Sequence, residues 1–216
     1  MFGVISSGMV AVMSQNIGAG RPGVAYQARQ LGLMFNAVME GQRNRAILET
    51  LYSCGLRVSE LVNLKLSDLY FDEGFIKVEG KGSKQRLVPI SPRAINEIKL
   101  YFTDRNRIEV KKEYEDFVFV SQRRGKGLSR IMIFHMIKEL AQTAGIIKNI
   151  SPHTFRHSFA THLLEGGANL RAIQCMLGHE SIATTEIYTH IDRNMLRSEI
   201  IEHHPRNIKY RKEKER

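Results

Sequence analysis

Cysteine is scarce in this sequence, and long apolar runs are missing from it. The two cysteines among 216 residues, Cys54 and Cys175, are too few for a disulfide scaffold or a cysteine-rich zinc site. No segment approaches the roughly 18 to 20 apolar residues of a membrane span. The apolar stretch MFGVISSGMVAVM at the start lacks the positive region of a secretory signal. These absences predict a protein of the reducing cytoplasm.

Acidic residues are also in the minority. Asp and Glu number 22 against 32 Lys and Arg, which gives a net charge of +10 and a pI of about 9.8. This excess of positive charge predicts a polyanionic partner such as nucleic acid. The hydrophobic share of 43% and the charged share of 25% are ordinary for globular proteins and exclude wholesale disorder. A chain of this length can bury about one domain core.

The organisation of the chain changes near residue 39. Residues 1–38 contain no acidic residue and show no strong helical or strand period, so we expect an atypical N-terminal extension there. Residues 39–206 carry clear periodic patterns and predict one domain. The basic segment 207–216 is expected to be a flexible tail.

Within the predicted domain, apolar spacing favours helices around one small sheet. A helix is expected over 42–54, with Gly55 as its stop, and others in RVSELVNL, from about 129 to 144, and in NLRAIQCML. LYFDEGFIKVEG and QRLVPIS favour β-strands on either side of the turn GKGSK. Ser-Pro at 91–92 and 151–152 is typical of a helix start. The predicted fold class is α+β, mainly helical, with a small three-stranded antiparallel sheet.

The segment HTFRHSFATHLL would carry two unlike faces as a helix. At 100° per residue, His153, Arg156 and His157 fall on one face, while Phe155 and Phe159 fall towards the other. We expect the aromatic face to pack inward, which leaves the basic residues aimed together elsewhere.

Four sequence blocks follow one another along the chain: GLRVSEL, GKGSKQRLVP, SPHTFRHSFATHLL and LGHESIATTEIYTH. Together they resemble the catalytic domain of the tyrosine recombinases, the phage integrase family, and they are most similar to the bacterial Xer recombinases. The resemblance extends from Glu40 to about Arg206. It implies the catalytic-domain fold of that family and an enzyme that breaks and rejoins DNA strands in site-specific recombination, DNA integration or chromosome segregation.

The resemblance implies that Tyr188 is the nucleophile, which would form a 3′-phosphotyrosyl link. His153 matches the histidine of the His-x-x-Arg block and would accept the tyrosine proton. Lys81, in the hairpin turn, would protonate the leaving 5′-oxygen. His179 matches the second histidine position of the family and would hydrogen-bond a non-bridging oxygen.

Two arginines complete the catalytic set that the resemblance implies. Arg57 and Arg156 match the pair that clamps the scissile phosphate, and Glu60 matches the acidic residue that supports the first arginine. Planar guanidinium groups suit the developing charge on the phosphate oxygens. The implied chemistry needs no metal or other cofactor, because two-metal phosphoryl transfer uses several clustered carboxylates.

DNA binding is expected to follow the basic segments beside these blocks. We expect phosphate contacts from the hairpin and from the basic loop that precedes residue 131, at Lys84, Arg86, Arg123, Arg124, Lys126 and Arg130. The resemblance further implies a tetrameric synapse with itself or a paralogous recombinase, activation by an FtsK-type translocase, and no membrane partner.

The N-terminal part of the chain departs from the family pattern. Family members carry a helical core-binding domain before the catalytic domain, and residues 1–38 do not resemble it. This departure predicts impaired recombination and leaves two alternatives: an inactive DNA-binding remnant, or strand passage like that of a type IB topoisomerase. The segment MSQNIGAGRP resembles a loop of multidrug and toxin extrusion transporters, but the net charge of +10 does not fit a transporter fragment.

Overall fold

The computed structural model of the chain describes residues 22–38, 41–178 and 193–207. Helices in this part surround one small sheet, which confirms the predicted fold class. The helices are α1 (Pro22–Ala37), α2 (Gln42–Cys54), α3 (Val58–Val62), α4 (Pro92–Arg105), α5 (Arg130–Thr143), α6 (Pro152–Glu165), α7 (Leu170–Leu177) and α8 (Arg193–His203), and the strands are β1 (Leu69–Tyr70), β2 (Phe75–Glu79) and β3 (Gln85–Pro89).

The sheet is an antiparallel meander in the order β1-β2-β3. Ile76 of β2 pairs with Val88 of β3, and Val78 pairs with Arg86. Ile76, Val78 and Val88 are buried in the main core, so one face of the sheet packs inward. The predicted strands are confirmed, and the turn GKGSK between β2 and β3 contains a 3₁₀ turn over Lys81–Ser83.

Helix α2 lies at the centre of the main core and packs against α4 and α6. Its residues 46–54 are all buried, so it has no solvent-facing stripe in its second half. The predicted helix starts are also confirmed. The hydroxyl of Ser91 accepts a hydrogen bond from the Ala94 amide at 3.1 Å and caps α4.

Helix α1 is a difference from the sequence-based expectation for residues 1–38. Leu31 and Met34 are fully buried, and Phe35 is nearly so. These side chains join the main core, and α1 packs against α5 and α6. The sequence does not indicate this helix clearly, because its glycines and evenly distributed apolar residues give only a weak amphipathic pattern. Residues 1–21 lie outside the described part of the chain.

A second core joins the end of α6 to α7 and α8. It contains Phe159, Leu163, Ile173 and Met176, and Ile200 of α8 packs onto them. Beyond α8 the chain docks on its own α2, where the Arg206 Nε donates to Glu49 Oε2 at 3.1 Å. Residues 204–207 are buried, so Asn207 does not belong to an exposed tail as expected; residues 208–216 lie outside the described part.

Two buried histidines contact Tyr52 of α2, His162 from α6 and His204 from the docked segment. The Tyr52 hydroxyl lies 2.7 Å from His162 Nδ1, and His204 Nε2 lies 3.3 Å from the Tyr52 carbonyl oxygen. Burial, reinforced by the charge of His157, lowers the pKa of His162 from 6.5 to about 4. Burial, reinforced by His162, lowers the pKa of His204 from 6.5 to about 3. Both rings are therefore neutral in the folded protein at pH 7.

In the described ranges, the helices are all too short or too polar to cross a lipid bilayer.

We expect the free energy of unfolding to fall as the pH is lowered from 6.5 towards 4. In that window the unfolded chain protonates His162 and His204, whereas the folded chain keeps them neutral. Each such histidine lowers the free energy of unfolding by about 1.4 kcal/mol per pH unit between its two pKa values. Urea unfolding at pH 7, 6 and 5 measures this slope.

The variant His162→Asn should show a smaller pH slope than the wild type, because one of the two titrating groups is gone. His135→Asn is the matched control, since His135 is an exposed histidine of α5. A wild-type slope in His162→Asn would contradict the prediction.

Candidate active site

Arg57 and Glu60 lie just after the glycine that ends helix α2. The stop is Gly55, which has a φ of +59° and packs so closely on the Phe159 ring that a Cβ would clash with it, so only glycine fits. Arg57 is the N-cap residue of α3, and its backbone amide donates to Glu60 Oε2 at 2.8 Å. The Arg57 Nη1 donates to Glu60 Oε1 at 2.9 Å. Glu60 therefore holds both the backbone and the guanidinium of Arg57.

Arg156 reaches the same place from helix α6. Its Nη1 donates to the Gly55 carbonyl and its Nη2 to the Leu177 carbonyl, both at 2.7 Å. Burial, together with the nearby positive charge of Arg57, lowers the pKa of Arg156 to about 10. The guanidinium remains charged at neutral pH, and the influence of Arg57 on its pKa reflects the closeness of the two cations.

Arg86 lies beneath this pair, on strand β3. Its Nη1 and Nη2 donate to the two oxygens of Glu60 at 2.8 and 3.0 Å, and its Nε donates to the Met176 carbonyl at 2.8 Å. Only 10% of its side chain is exposed. The basic sequence around Arg86 predicts a surface contact with DNA. The structure instead places Arg86 beside Arg57 and Arg156, and we call these three residues the arginine cluster.

The buried carboxylate of Glu60 is ionised in this setting. Burial by itself would raise the pKa of Glu60, but the hydrogen bonds and charge of Arg86, and then those of Arg57, lower it below its usual value. The side chain of Glu60 is 1% exposed, so the two arginines take the place of water around it.

The carboxyl end of helix α7 receives all three guanidinium groups. Arg86, Arg156 and Arg57 bind the consecutive carbonyls of Met176, Leu177 and Gly178; the last of these bonds, from Arg57 Nη2, is 3.3 Å long. These carbonyls are the last of the helix and carry the negative end of its dipole. Gly178 ends the helix in the left-handed conformation, with φ of +64°. The last described residue of this segment, Gly178, therefore lies at the three arginines.

Helix α6 has the two faces that its sequence predicts. Phe155 and Phe159 are fully buried, whereas His153 and His157 are exposed and Arg156 is half-buried. His153 stands one turn before Arg156, close to the start of the helix. This confirms the predicted orientation of the helix; the catalytic role of His153 stays a prediction.

The remaining members of the predicted catalytic set are placed only in part. The backbone of Lys81 lies in the 3₁₀ turn between β2 and β3, where the Gly80 amide donates to the Lys84 carbonyl at 2.8 Å. His179 and Tyr188 lie outside the described residues, in the segment that joins Gly178 to Arg193.

The predicted DNA-binding residues other than Arg86 are exposed. The basic loop from Gln122 to Arg130 is ordered by a bridge between Val120 and Gly127 and by a hydrogen bond of 2.7 Å from the Ser121 amide to the Lys126 carbonyl. The exposed cations are Lys84, Arg123, Arg124, Lys126 and Arg130. This exposure is compatible with phosphate contacts, which stay a prediction.

A cleft of about 550 Å³ opens between α3 and the hairpin, next to Arg57 and Glu60. Asp68, Lys77 and Glu79 also line it, so its charge is mixed.

The burial of Arg86 is the feature of the site that sequence reasoning missed, although a signal for it exists. In strand β3, Arg86 and Val88 are two residues apart and share one face, and their partners Val78 and Ile76 are both apolar. Alternation thus places Arg86 on the inward face of the hairpin. The carbonyl acceptors of Gly55, Met176 and Leu177 leave no such signal, because any residue type supplies a carbonyl.

Known proteins are similar to this chain in sequence and in fold. Residues 26–195 match the phage integrase family. The tyrosine recombinase XerD of Chlorobaculum tepidum is 51% identical over 164 residues, which cover 76% of this chain and 54% of that protein. The XerD of Pseudomonas putida is 48% identical over 166 residues, covering 77% and 55%. The chain thus spans about half the length of these curated relatives.

Solved structures give the same result. A crystal structure of XerA recombinase superposes with a TM-score of 0.65 and 38% identity, covering 82% of this chain and 62% of that one. XerH recombinase in a post-cleavage complex with palindromic difH substrate gives a TM-score of 0.61 and 30% identity, covering 79% and 50%. Because the family pattern accounts for residues 26–195, which include all four sequence blocks and the arginine cluster, the chain belongs to the phage integrase family of tyrosine recombinases.

Proposed function

We propose that this chain breaks and rejoins DNA strands in site-specific recombination, through a covalent 3′-phosphotyrosyl intermediate. The observation that carries the proposal is the convergence of Arg57 and Arg156, from distant parts of the sequence, on the neighbouring carbonyls of Gly178 and Leu177. The 51% identity to a XerD recombinase favours recombination over topoisomerase-like strand passage.

The two arginines suit a phosphodiester in its transition state. Attack on phosphorus adds negative charge to the two non-bridging oxygens, and two guanidinium forks can bind both of them. The side chain of Arg57 is 38% exposed, so its guanidinium is accessible from outside. Glu60 fixes its direction, which lowers the cost of ordering the arginine when the phosphate arrives.

Tyr188 would supply the nucleophile. Ionising a phenol with a pKa near 10 at pH 7 costs about 4 kcal/mol, and the cluster of cations lowers that cost. The phenolic oxygen bonds to phosphorus and its proton passes to His153, while the bond to the 5′-oxygen breaks and that oxygen takes a proton from Lys81. His179 would hydrogen-bond a non-bridging oxygen.

The reverse reaction completes strand exchange. The 5′-hydroxyl of a second strand attacks the phosphotyrosyl phosphorus, and Tyr188 leaves as the phenol. Each step breaks one phosphoester bond and forms another, so the exchange needs no external energy source.

Double-stranded DNA is the substrate that this proposal assigns. The XerH complex with difH, a relative at 30% identity, supports it, as do the net charge of +10 and the exposed cations of the hairpin and basic loop. Affinity for DNA should therefore fall steeply with salt concentration.

The proposal extends to assembly. Strand exchange between two duplexes requires four active sites, which a tetramer with itself or with a paralogous recombinase would provide. An FtsK-type translocase is the activating partner that we propose, as the resemblance of the motif blocks to Xer recombinases implies. The proposed substrate also leads us to propose a cytoplasmic location, because the chromosomal DNA of bacteria lies in the cytoplasm.

Replacing Tyr188 with Phe should abolish covalent protein–DNA adducts and leave DNA affinity nearly unchanged, because only the nucleophilic oxygen is removed. Nicked or phosphorothiolate duplexes carrying a panel of palindromic sites trap the adduct, and a denaturing gel detects it. Tyr70→Phe is the matched control, since Tyr70 is an exposed tyrosine of strand β1. Adducts formed by Tyr188→Phe would show that another residue is the nucleophile.

Replacing Arg156 with Ala should slow adduct formation by about 100- to 1,000-fold, because its contacts strengthen in the transition state. DNA affinity should change far less. The readouts are the single-turnover adduct rate at saturating protein and a binding isotherm, with the unfolding midpoint measured in parallel. Arg171→Ala, an exposed arginine of α7, is the control. Equal losses in rate and affinity would make Arg156 a simple phosphate anchor.

A further inference from the structure

We propose that Arg86 is a positioning residue, which holds the Arg57 guanidinium in place through the carboxylate of Glu60 and does not itself contact DNA. This inference rests on the proposed function, in which Arg57 binds the scissile phosphate. It assigns to Arg86 a different task from the phosphate contact that its basic sequence neighbourhood suggests.

The contacts of Arg86 are directed into the protein. Three of its N–H groups bind the two oxygens of Glu60 and the Met176 carbonyl, at 2.8 to 3.0 Å. The pair with Glu60 is the parallel, two-bond arrangement that a planar guanidinium matches and an ammonium does not. With 10% of the side chain exposed, little of Arg86 faces solvent where a phosphate would approach.

Glu60 passes the constraint on to Arg57. Each of its oxygens accepts one bond from Arg86 and one from Arg57: Oε1 from the Arg57 Nη1 at 2.9 Å and Oε2 from the Arg57 amide at 2.8 Å. Arg86 fixes the plane of the carboxylate from the opposite side. Without it, the carboxylate can rotate about its terminal torsion, and Arg57 is no longer held in one direction.

The same residue joins three elements around the site. Arg86 is on β3, Glu60 on α3 and Met176 on α7, and the hairpin turn with Lys81 lies a few residues before Arg86. A Cβ on Gly178 would come within 3.1 Å of the Arg86 Nε, so the glycine leaves the space that this arginine occupies. Arg86 therefore links the hairpin to the end of α7.

Arg86→Lys separates positioning from phosphate binding, because it keeps the positive charge and removes the two-bond contact. We expect single-turnover adduct formation at saturating protein to slow by about 10- to 100-fold, as small displacements of a catalytic group do. The salt dependence of DNA binding should match the wild type. Adduct formation at the wild-type rate would overturn the proposal.

Arg86→Gln gives the second comparison. Removing one cation that binds a DNA phosphate lowers the slope of log affinity against log salt by about one. We expect no such change for Arg86→Gln, whereas the exposed Lys84→Gln, two positions earlier, serves as the surface comparison from the same hairpin. A slope reduced by about one in Arg86→Gln would identify Arg86 as a DNA-binding residue and overturn the proposal.

A readout without catalysis keeps this inference separate from the proposed function. In ¹⁵N NMR spectra of the DNA-free protein, the Nε–H group of Arg57 should become more mobile in Arg86→Lys, while that of the exposed Arg171 stays unchanged. Rigid Arg57 in the variant would overturn the inference. Absence of Tyr188-dependent adducts in the wild type would instead overturn the proposed function and leave this NMR test standing.

A double-variant cycle covers the case in which Arg86→Lys does not fold. Arg86→Gln with Glu60→Gln removes both charges together and leaves no unpaired carboxylate. If Arg86 acts through Glu60, Arg86→Gln should slow adduct formation less in the Glu60→Gln background than in the wild type. Equal slowing in both backgrounds would show that Arg86 acts independently of Glu60 and overturn the proposal.

Discussion

The buried carboxylate of Glu60 carries the charge balance of the candidate site. It is 1% exposed and lies between Arg57 and Arg86, with hydrogen bonds of 2.8 to 3.0 Å to both. Removing one partner of such a group leaves a buried charge without compensation, which costs several kcal/mol, about 3 to 5. The same ion pair therefore stabilises the junction of α3, β3 and α7 and directs the arginine that we assign to the phosphate.

The carboxyl end of α7 is the second fixed point. Its last carbonyls need hydrogen-bond donors, and Arg86, Arg156 and Arg57 provide them in order along the chain. The negative end of the helix also lowers the repulsion among cations placed so close together.

Helix α2 is the element on which several other parts of the described chain pack. It is buried on every side in its second half, including Glu49, whose carboxylate binds Arg93 at 3.0 Å and also Arg206. The rings of Phe35 from α1 and His204 from the segment 204–207 both pack on Tyr52 of α2. The Arg206 guanidinium stacks over the Phe35 ring, 4.2 Å from its centre. Helix α1 and the last described residues thus both contact the helix that leads to Gly55 and Arg57.

The sequence by itself determined most of the elements after α1 and the motif residues of the candidate set. Helix stops at Gly55 and Gly178, caps at Ser91, and the two faces of α6 follow from local chemistry, which depends only on neighbours a few positions apart. The four motif blocks identified the family, and they named Arg57, Glu60 and Arg156 before any of their contacts were known.

Alternation along β3 indicates that Arg86 faces inward, but only the tertiary structure decided what Arg86 contacts there. Arg86 has the same charge as the exposed Lys84, but the hairpin register turns it towards Glu60 and the end of α7. The sequence pattern likewise does not show that α1 is buried, because its apolar residues are spread around the helix. Their burial depends on the surfaces of α5 and α6, against which α1 packs. Long-range burial and ion pairing are set by which elements meet, and local sequence patterns do not encode that.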